Sequence, residues 1–239
     1  MPRALLVEKD VTASTNDDAR ALALQGAPAG TAVMARRQTR GRGRAGRMFV
    51  SPEGGLYVSV VLRPAMPPAR WSLLPLAVAA ECAAVLRAYG FAADVKWPND
   101  LLIGGRKVAG VLVESRFGAE AFAIAGIGLN VAAAPLPEAT CLAEHGAPPP
   151  LRALADAIAR GLVARADALG REGPAATLEE LRASCVTLGR KVSWEMGSGV
   201  AVDVADDGAL VVEMEDGARA RIVAGDVKLT QFGHGAPEA

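Results

Sequence analysis

The chain is poor in the side chains that carry metal and thiol chemistry. Only His145 and His234 supply imidazoles, and neither has a second His or Cys at ligand spacing, so no protein-only metal site and no histidine triad is expected. The three cysteines, Cys82, Cys141 and Cys185, are odd in number, far apart and free of CxxC spacing. That argues against a disulfide framework or zinc knuckle and for a reducing, cytoplasmic setting. Net charge is missing as well: 26 Lys plus Arg balance 26 Asp plus Glu, so no general attraction to nucleic acid or anionic membrane is expected. Any anion site has to be local. The first ten residues already contain Glu8 and Asp10, unlike a basic segment followed by an apolar one. The most apolar run, residues 73–86, is interrupted by Pro75 and Glu81 and falls short of the ~20 residues a membrane span needs. These absences predict a soluble protein.

What is present is a globular balance. At 239 residues, 51% hydrophobic and 22% charged, the chain has enough apolar mass for one sizeable core with a small appendage. Ser14 and Thr15 precede Asn16, Asp17, Asp18 and an Ala/Leu run ending at Gly26, which reads as a helix that either hydroxyl would cap. Strands are predicted at 31–35 and 56–62, a long apolar helix at 71–89, and a meander of strands over 94–130 with Gly104 and Gly105 as a tight turn. Helical spacing follows at 151–169 and 178–184. From Leu188 the texture changes to five short alternating strands, RKVSWEM, GVAVDVA, ALVVEME, ARARIVA and VKLTQ, divided by Gly/Asp turns. This predicts a main domain over residues 1–185 and a small β-barrel over 186–235 that packs on it, with a frayed tail after residue 233.

Between Ala19 and Pro52 there is no acid, while Arg36, Arg37, Arg40, Arg42, Arg44 and Arg47 crowd around Gly41, Gly43 and Gly46. Glycines let backbone N–H groups approach an anion and guanidinium forks grip it, each charge-assisted bond contributing roughly 1.5–3 kcal/mol. Self-repulsion in the empty state predicts a mobile loop. The GxGxxG match does not make a dinucleotide fingerprint, because MFVSPEGGLYV leads into a strand and not a helix. An RGG-like nucleic-acid segment would interleave more aromatics than Phe49. The preferred reading is a loop closing over a phosphate-bearing small molecule.

The segment KWPNDLLIGGRKVAGVLVES places Lys96, Asn99 and Asp100 around a proline turn and Lys107 at the head of an apolar strand. A lysine there needs an anionic partner. Period-2 alternation puts Lys107 on one face with Ala109, Val111 and Val113. Turn formation and a solvated hairpin would explain the same residues, and both readings stand at this level.

Taken in order, STN at 14–16, QTRGRGRAGR at 38–47, KWPND at 96–100, GRKVAGVLVE at 105–114 and GIGLN at 126–130 resemble the biotin protein ligase family. GRGRxGR and KWPND are the specific pieces, and the resemblance runs over residues 5–232. It implies an α/β (α+β) catalytic domain, a mixed sheet with helices like that of class II aminoacyl-tRNA synthetases, followed by an SH3-like β-barrel. It implies that biotin is activated with ATP and Mg²⁺ as biotinyl-5′-AMP and passed to a lysine of a biotin carboxyl carrier protein domain, for example that of acetyl-CoA carboxylase. On that resemblance Ser14, Thr15, Asn16, Gln38, Gly41, Arg42, Gly43, Arg44 and Lys107 contact biotin or its adenylate, and Gly110, Gly126 and Gly128 make room. Arg42, Arg44 and Lys107 are the catalytic cations. Trp97, Asn99, Asp100 and Asn130 face the nucleotide, with Mg²⁺ near Asp100. Arg40 and Ala45 depart from the usual loop pattern. No room precedes Leu5 for a winged helix-turn-helix, so ligase activity without DNA binding is expected, in a monomer or weak homodimer. The rivals are a lipoate protein ligase and a non-catalytic sensor of biotin or an adenylate.

Overall fold

The computed structural model describes residues 5–223, 225 and 227–229. Thr230 and Gln231 of the last predicted strand and the tail from residue 233 lie outside the described residues. Seven strands, β1 (Leu6–Thr12), β2 (Ala32–Gln38), β3 (Gly55–Leu62), β4 (Asp94–Lys96), β5 (Asp100–Ile103), β6 (Arg106–Arg116) and β7 (Phe122–Asn130), form one sheet in the order β1-β2-β3-β7-β6-β5-β4. The β1–β2 pair is parallel and the other five are antiparallel. Strand β1 is not announced by its sequence: residues 8–11 are all exposed, so no alternation marks it, and backbone pairing to β2 from Leu6↔Ala32 to Thr12↔Gln38 holds it at the edge.

Helix α1 (Thr15–Leu24) covers one face of the sheet; α2 (Leu74–Ala88), α3 (Leu151–Glu172) and α4 (Ala175–Ser184) pack on the other side. Strand β3 is buried at every position and serves both faces. Leu56, Val58, Val60 and Leu62 join the large core under α2 and α3, while Val61 meets Ala19 and Ala23 of α1. With the 3₁₀ turn before it, α2 extends the apolar run to Pro68–Ala88, 21 residues and long enough by composition to cross a membrane. Yet 67% of its most apolar window is buried inside the fold, which makes it a core helix.

Five further strands, β8 (Lys191–Trp194), β9 (Gly197–Val204), β10 (Leu210–Glu213), β11 (Arg219–Ile222) and β12 (Lys228–Leu229), make a separate antiparallel sheet in the order β11-β10-β9-β8-β12. It is docked on the first through Trp97. The Trp97 indole N–H donates to Gly208 O at 3.0 Å, its backbone N–H donates to Thr187 Oγ1 at 2.9 Å, and Ser72 donates to Asp207 O at 3.0 Å. Gly208, at φ 88°, lies against Leu73 and Leu76, where a side chain would press on Leu76 at 3.0 Å.

Trp97→Phe keeps an aromatic ring in the core but leaves Gly208 O without its donor, a buried acceptor costing about 1–3 kcal/mol. Urea denaturation should show that loss at an unchanged slope, and a midpoint identical to wild type would mean that the bond contributes nothing.

Candidate active site

The cleft opens on the α1 side of the sheet, where glycines face each other across β6 and β7. Gly110 pairs with Gly128 and Leu112 with Gly126, and directly opposed residues share a face. A methyl group at Gly128 would run into the Phe49 ring and one at Gly126 into the Asn16 amide, so the missing side chains create the room. The cavity holds about 310 Å³, the lower end of the roughly 300–1,000 Å³ of small-molecule pockets. Phe49 lies on this floor and meets Tyr57 edge-on, ring centroids 6.4 Å apart. Burial pushes the Tyr57 hydroxyl up to about 12, and it donates to Pro52 O at 2.7 Å.

Lys107 is not on the face that regular alternation predicts. The register of β6 against β5 shifts between Leu101↔Ala109 and Leu102↔Lys107, which leaves Val108 as a bulge. Val108, Ala109 and Val111 all enter the core. Lys107 therefore crosses to the cleft side, where its Nζ would sit 3.2 Å from a Cβ on Gly110. The anionic partner it requires is Asp100, at 2.6 Å.

The wall at the N-terminus of α1 is polar and buried. Ser14 occupies the cap position with extended backbone, but neither hydroxyl caps the helix. Ser14 faces the cleft instead, and Thr15 and Asn16 enter a network. The Thr15 N–H donates to Gln38 Oε1 at 2.8 Å, and Gln38 Nε2 donates to Ser51 Oγ at 3.0 Å. Ser59, 0% exposed on β3, has one proton and two partners, Asn16 Oδ1 at 2.6 Å and Thr15 Oγ1 at 2.7 Å. An amide oxygen only accepts, so in this orientation Ser59 donates to Asn16, and the single Thr15 hydroxyl proton is shared between Ser59 Oγ and Gln38 Oε1, 3.1 Å away. Asn16 Nδ2 then donates to Glu114 Oε2 at 2.7 Å.

The arginine loop joins β2 to β3, folded over the cleft. Its counter-charges come from outside the loop. Arg42 makes a two-pronged bond to Asp17, 2.7 Å on each arm, and reaches Glu114 at 3.3 Å; Arg20 holds the other Glu114 oxygen at 2.8 Å. Arg44 spans to the far end, donating to Asn99 Oδ1 at 3.0 Å and to Gly225 O at 3.3 Å. Asn99 Nδ2 donates to Val111 O at 2.7 Å, which fixes that amide too. Ala45 takes φ 53°, a left-handed conformation that costs a non-glycine residue about 1–3 kcal/mol. Arg40 is exposed beside the loop and its N–H donates to Ala13 O.

Two predicted site residues, Gly41 and Asn130, lie outside the cleft lining, and a third, Trp97, lines it with its polar atom turned away. Gly41 lies beneath the loop, where a Cβ would collide with Phe49 O and Ser51 Oγ. Trp97 borders the cleft but is 2% exposed and turns its N–H to Gly208. Asn130 is buried at the end of β7, donating to Thr140 O at 3.0 Å, outside the cleft lining. The remaining ones, Ser14, Thr15, Asn16, Gln38, Arg42, Gly43, Arg44, Asn99, Asp100, Lys107, Gly110, Gly126 and Gly128, line one cleft. Lys96, Phe49, Leu112 and Lys228 line it as well. Lys96 heads a conspicuous motif and Ser59 interrupts an apolar strand, so both were visible; Lys228 arrives from the second sheet without local warning.

Residues 9–131 match the biotin/lipoate A/B protein ligase family, and residues 187–229 match the biotin protein ligase C terminal domain. A biotin acetyl-CoA-carboxylase ligase of Mycobacterium tuberculosis is 35% identical over 233 residues, 90% of this chain and 85% of that one. The chain belongs to the biotin protein ligase family. The bifunctional ligase/repressor BirA of Bacillus spizizenii is 42% identical over 130 residues, 53% of this chain but 40% of that protein's length. The biotin protein ligase of Aquifex aeolicus in complex with biotin and ATP has the same fold at TM-score 0.81 and 28% identity, over 95% of this chain and 99% of that one.

In this member of the family, hydrogen bonds from Arg42 hold the Asp17 carboxyl below its ordinary range against desolvation, with Arg20 and Arg40 adding to the effect. Burial alone would raise Glu114; the Asn16 amide and the charges of Arg20 and Arg42 outweigh it and hold that carboxyl low. Groups with depressed folded-state values stabilise the fold above the ordinary carboxylate range, about pH 4. That contribution fades as the pH falls through the depressed values. The gap in calorimetric midpoint between wild type and Arg42→Ala should accordingly be full at pH 7 and shrink below about pH 4. A gap independent of pH would sink the assignment.

Proposed function

We propose that the protein is an ATP-dependent ligase that activates biotin as biotinyl-5′-AMP and transfers it to a lysine of a biotin carboxyl carrier domain. The observation that carries this reading is one cleft in which Arg42, Arg44 and Lys107 surround a side-chain-free glycine floor beside the Ser14, Thr15, Asn16 and Gln38 wall. In the first step a biotin carboxylate oxygen attacks the α-phosphorus of ATP, the bond to the β-phosphate oxygen breaks, and pyrophosphate leaves with the electron pair. In the second, the neutral amine of the acceptor lysine attacks the acyl carbon, the bond to AMP breaks, and the amine proton goes to solvent.

A carboxylate and a polyphosphate repel each other unless cations neutralise both. Lys107 supplies one cation from the sheet, Arg42 one from the side of the polar wall and Arg44 one from the WPND end. Asp100 is the one carboxylate lining the cleft among the described residues, and no three His, Cys, Asp or Glu come together there. That suits Mg²⁺ carried on ATP, which typically binds through one or two carboxylates plus phosphates and would add charge neutralisation. Asp100 would hold it. A cytoplasmic setting belongs to the same proposal, supported by three buried, unpaired cysteines and the use of ATP.

Incubating the protein with ATP, a biotin-accepting carrier domain and either biotin or lipoate, then weighing the carrier, tests the reading. Biotinyl addition is expected; lipoyl addition alone, or biotin binding without pyrophosphate release, overturns it. Lys107→Ala should slow pyrophosphate release by ~10²–10³-fold, the usual loss on removing a preorganised transition-state contact. Undiminished release would remove Lys107 from the chemistry.

A further inference from the structure

We infer that Glu114 is a positioning residue that couples the biotin-pocket wall to the arginine loop, an inference that rests on the ligase reading of the cleft. Two residues apart along β6, Gly110, Leu112 and Glu114 share the cleft face, so the strand that forms the floor also carries this carboxylate to its rim. Three donors from two parts of the chain, helix α1 and the arginine loop, converge on its two oxygens. Asn16 Nδ2 comes from the pocket wall at 2.7 Å, Arg20 Nη2 from the exposed side of α1 at 2.8 Å, and Arg42 Nη2 from the loop at 3.3 Å.

The Asn16 contact sets the orientation of that amide. Its nitrogen gives to Glu114, and a flip would set its oxygen against that carboxylate, acceptor against acceptor, whereas the Ser59 hydroxyl can donate or accept and does not choose between the two orientations. Gly126 is bare where the same amide lies, so nothing else in the floor displaces it. Asn16 thus presents a fixed face to the pocket only while Glu114 accepts. The same carboxylate holds Arg42, whose other partner is Asp17. The described side-chain contacts of Asp17 are with Arg42 and Arg20, and only its backbone N–H reaches the pocket wall, at Ser14 O. The two carboxylates therefore divide: Asp17 anchors the loop alone, and Glu114 anchors loop and wall together.

Glu114→Gln keeps the shape but offers one acceptor oxygen and an NH₂ to three donors, so wall or loop loses its hold. The whole protein is compared as wild type, Glu114→Gln and Asp17→Asn. Biotin affinity is read by calorimetry without ATP, ligand-free trypsin cleavage within residues 40–47 by mass spectrometry, and the unfolding midpoint by fluorescence. Glu114→Gln should weaken biotin by ~10-fold or more, as expected for losing a hydrogen bond to a charged group. It should also speed loop cleavage ~5-fold while the midpoint stays within a few degrees. Asp17→Asn should speed loop cleavage and leave biotin affinity within about twofold, since it touches one arm of the coupling. Wild-type behaviour of Glu114→Gln in either readout, with wild type binding biotin, overturns the inference alone. Wild type that binds no biotin removes the ligase reading and this inference with it. If the glutamine variant does not fold, Glu114→Asp is judged by the same two readouts, because a carboxylate one methylene shorter cannot span from Asn16 to Arg42.

Discussion

The pairing of β6 with β7 is the constraint on which the site depends. Gly110, Gly126 and Gly128 leave a bare patch beside Leu112 on a sheet whose opposite face is packed with Ala109, Val111, Ile127 and Leu129. Glycine inside a strand weakens it by roughly 0.5–1 kcal/mol per position relative to alanine. Here the neighbours carry that cost: β7 runs between β3 and β6, paired along both edges, and its outer positions are fully buried. The floor is thus kept flat by the strands paired along both edges of β7. A side chain at any of these glycines would meet Phe49, Asn16 or Lys107, the groups that surround the cavity.

Charge is arranged by the same geometry. The loop concentrates cations that no nearby residue in sequence neutralises, and a folded chain cannot leave them facing one another in a partly desolvated cleft. The solution is to place acids on elements the loop closes against. Asp17 stands in the first turn of α1, where an acid also suits the helix N-terminus. Glu114 stands on β6 and Asp100 on β5. Arg42, Arg44 and Lys107 are each met by a group belonging to a different element, so the loop conformation and the sheet register are specified together.

How much of this could be read from residues alone depended on how local each feature is. The long buried strands, the glycine turn at 104–105, the strand-to-strand placement of the loop and the short strands after residue 190 all follow from patterns within a few residues of themselves. The bulge does not, because alternation assumes regular pairing and Val108 departs from it only through what β5 does opposite. Strand β1 escapes notice because it is an exposed edge. The resemblance of the WPND motif implies that Trp97 faces the nucleotide; its indole N–H finds a carbonyl 111 residues away, in the turn before β10. Glu114 stands in the sequence as the end of a motif; its contacts reach back 98 residues to Asn16 and 72 to Arg42, distances no local pattern reports.

The bulge then acquires a second meaning. Without it Lys107 and Glu114, seven residues apart, would fall on opposite faces of β6, since odd separations alternate. One extra residue at Val108 changes the phase, and both ends of the strand lie on the cleft side of the sheet: the cation paired with Asp100 at one end, the anion that accepts from Asn16 and Arg42 at the other. At roughly 3.3 Å per residue they stand about 20 Å apart, with the glycine floor between them. A single strand therefore fixes the length, the floor and the two charged ends of the site, and its phase is set by one buried valine. Loop and second sheet close over this frame through Arg44, which touches Asn99 of the first sheet's turn and Gly225 beside β12 at once. The position of the lid is in this way referred to the same strand, because the Asn99 amide that receives Arg44 is itself held by the carbonyl of Val111 on β6.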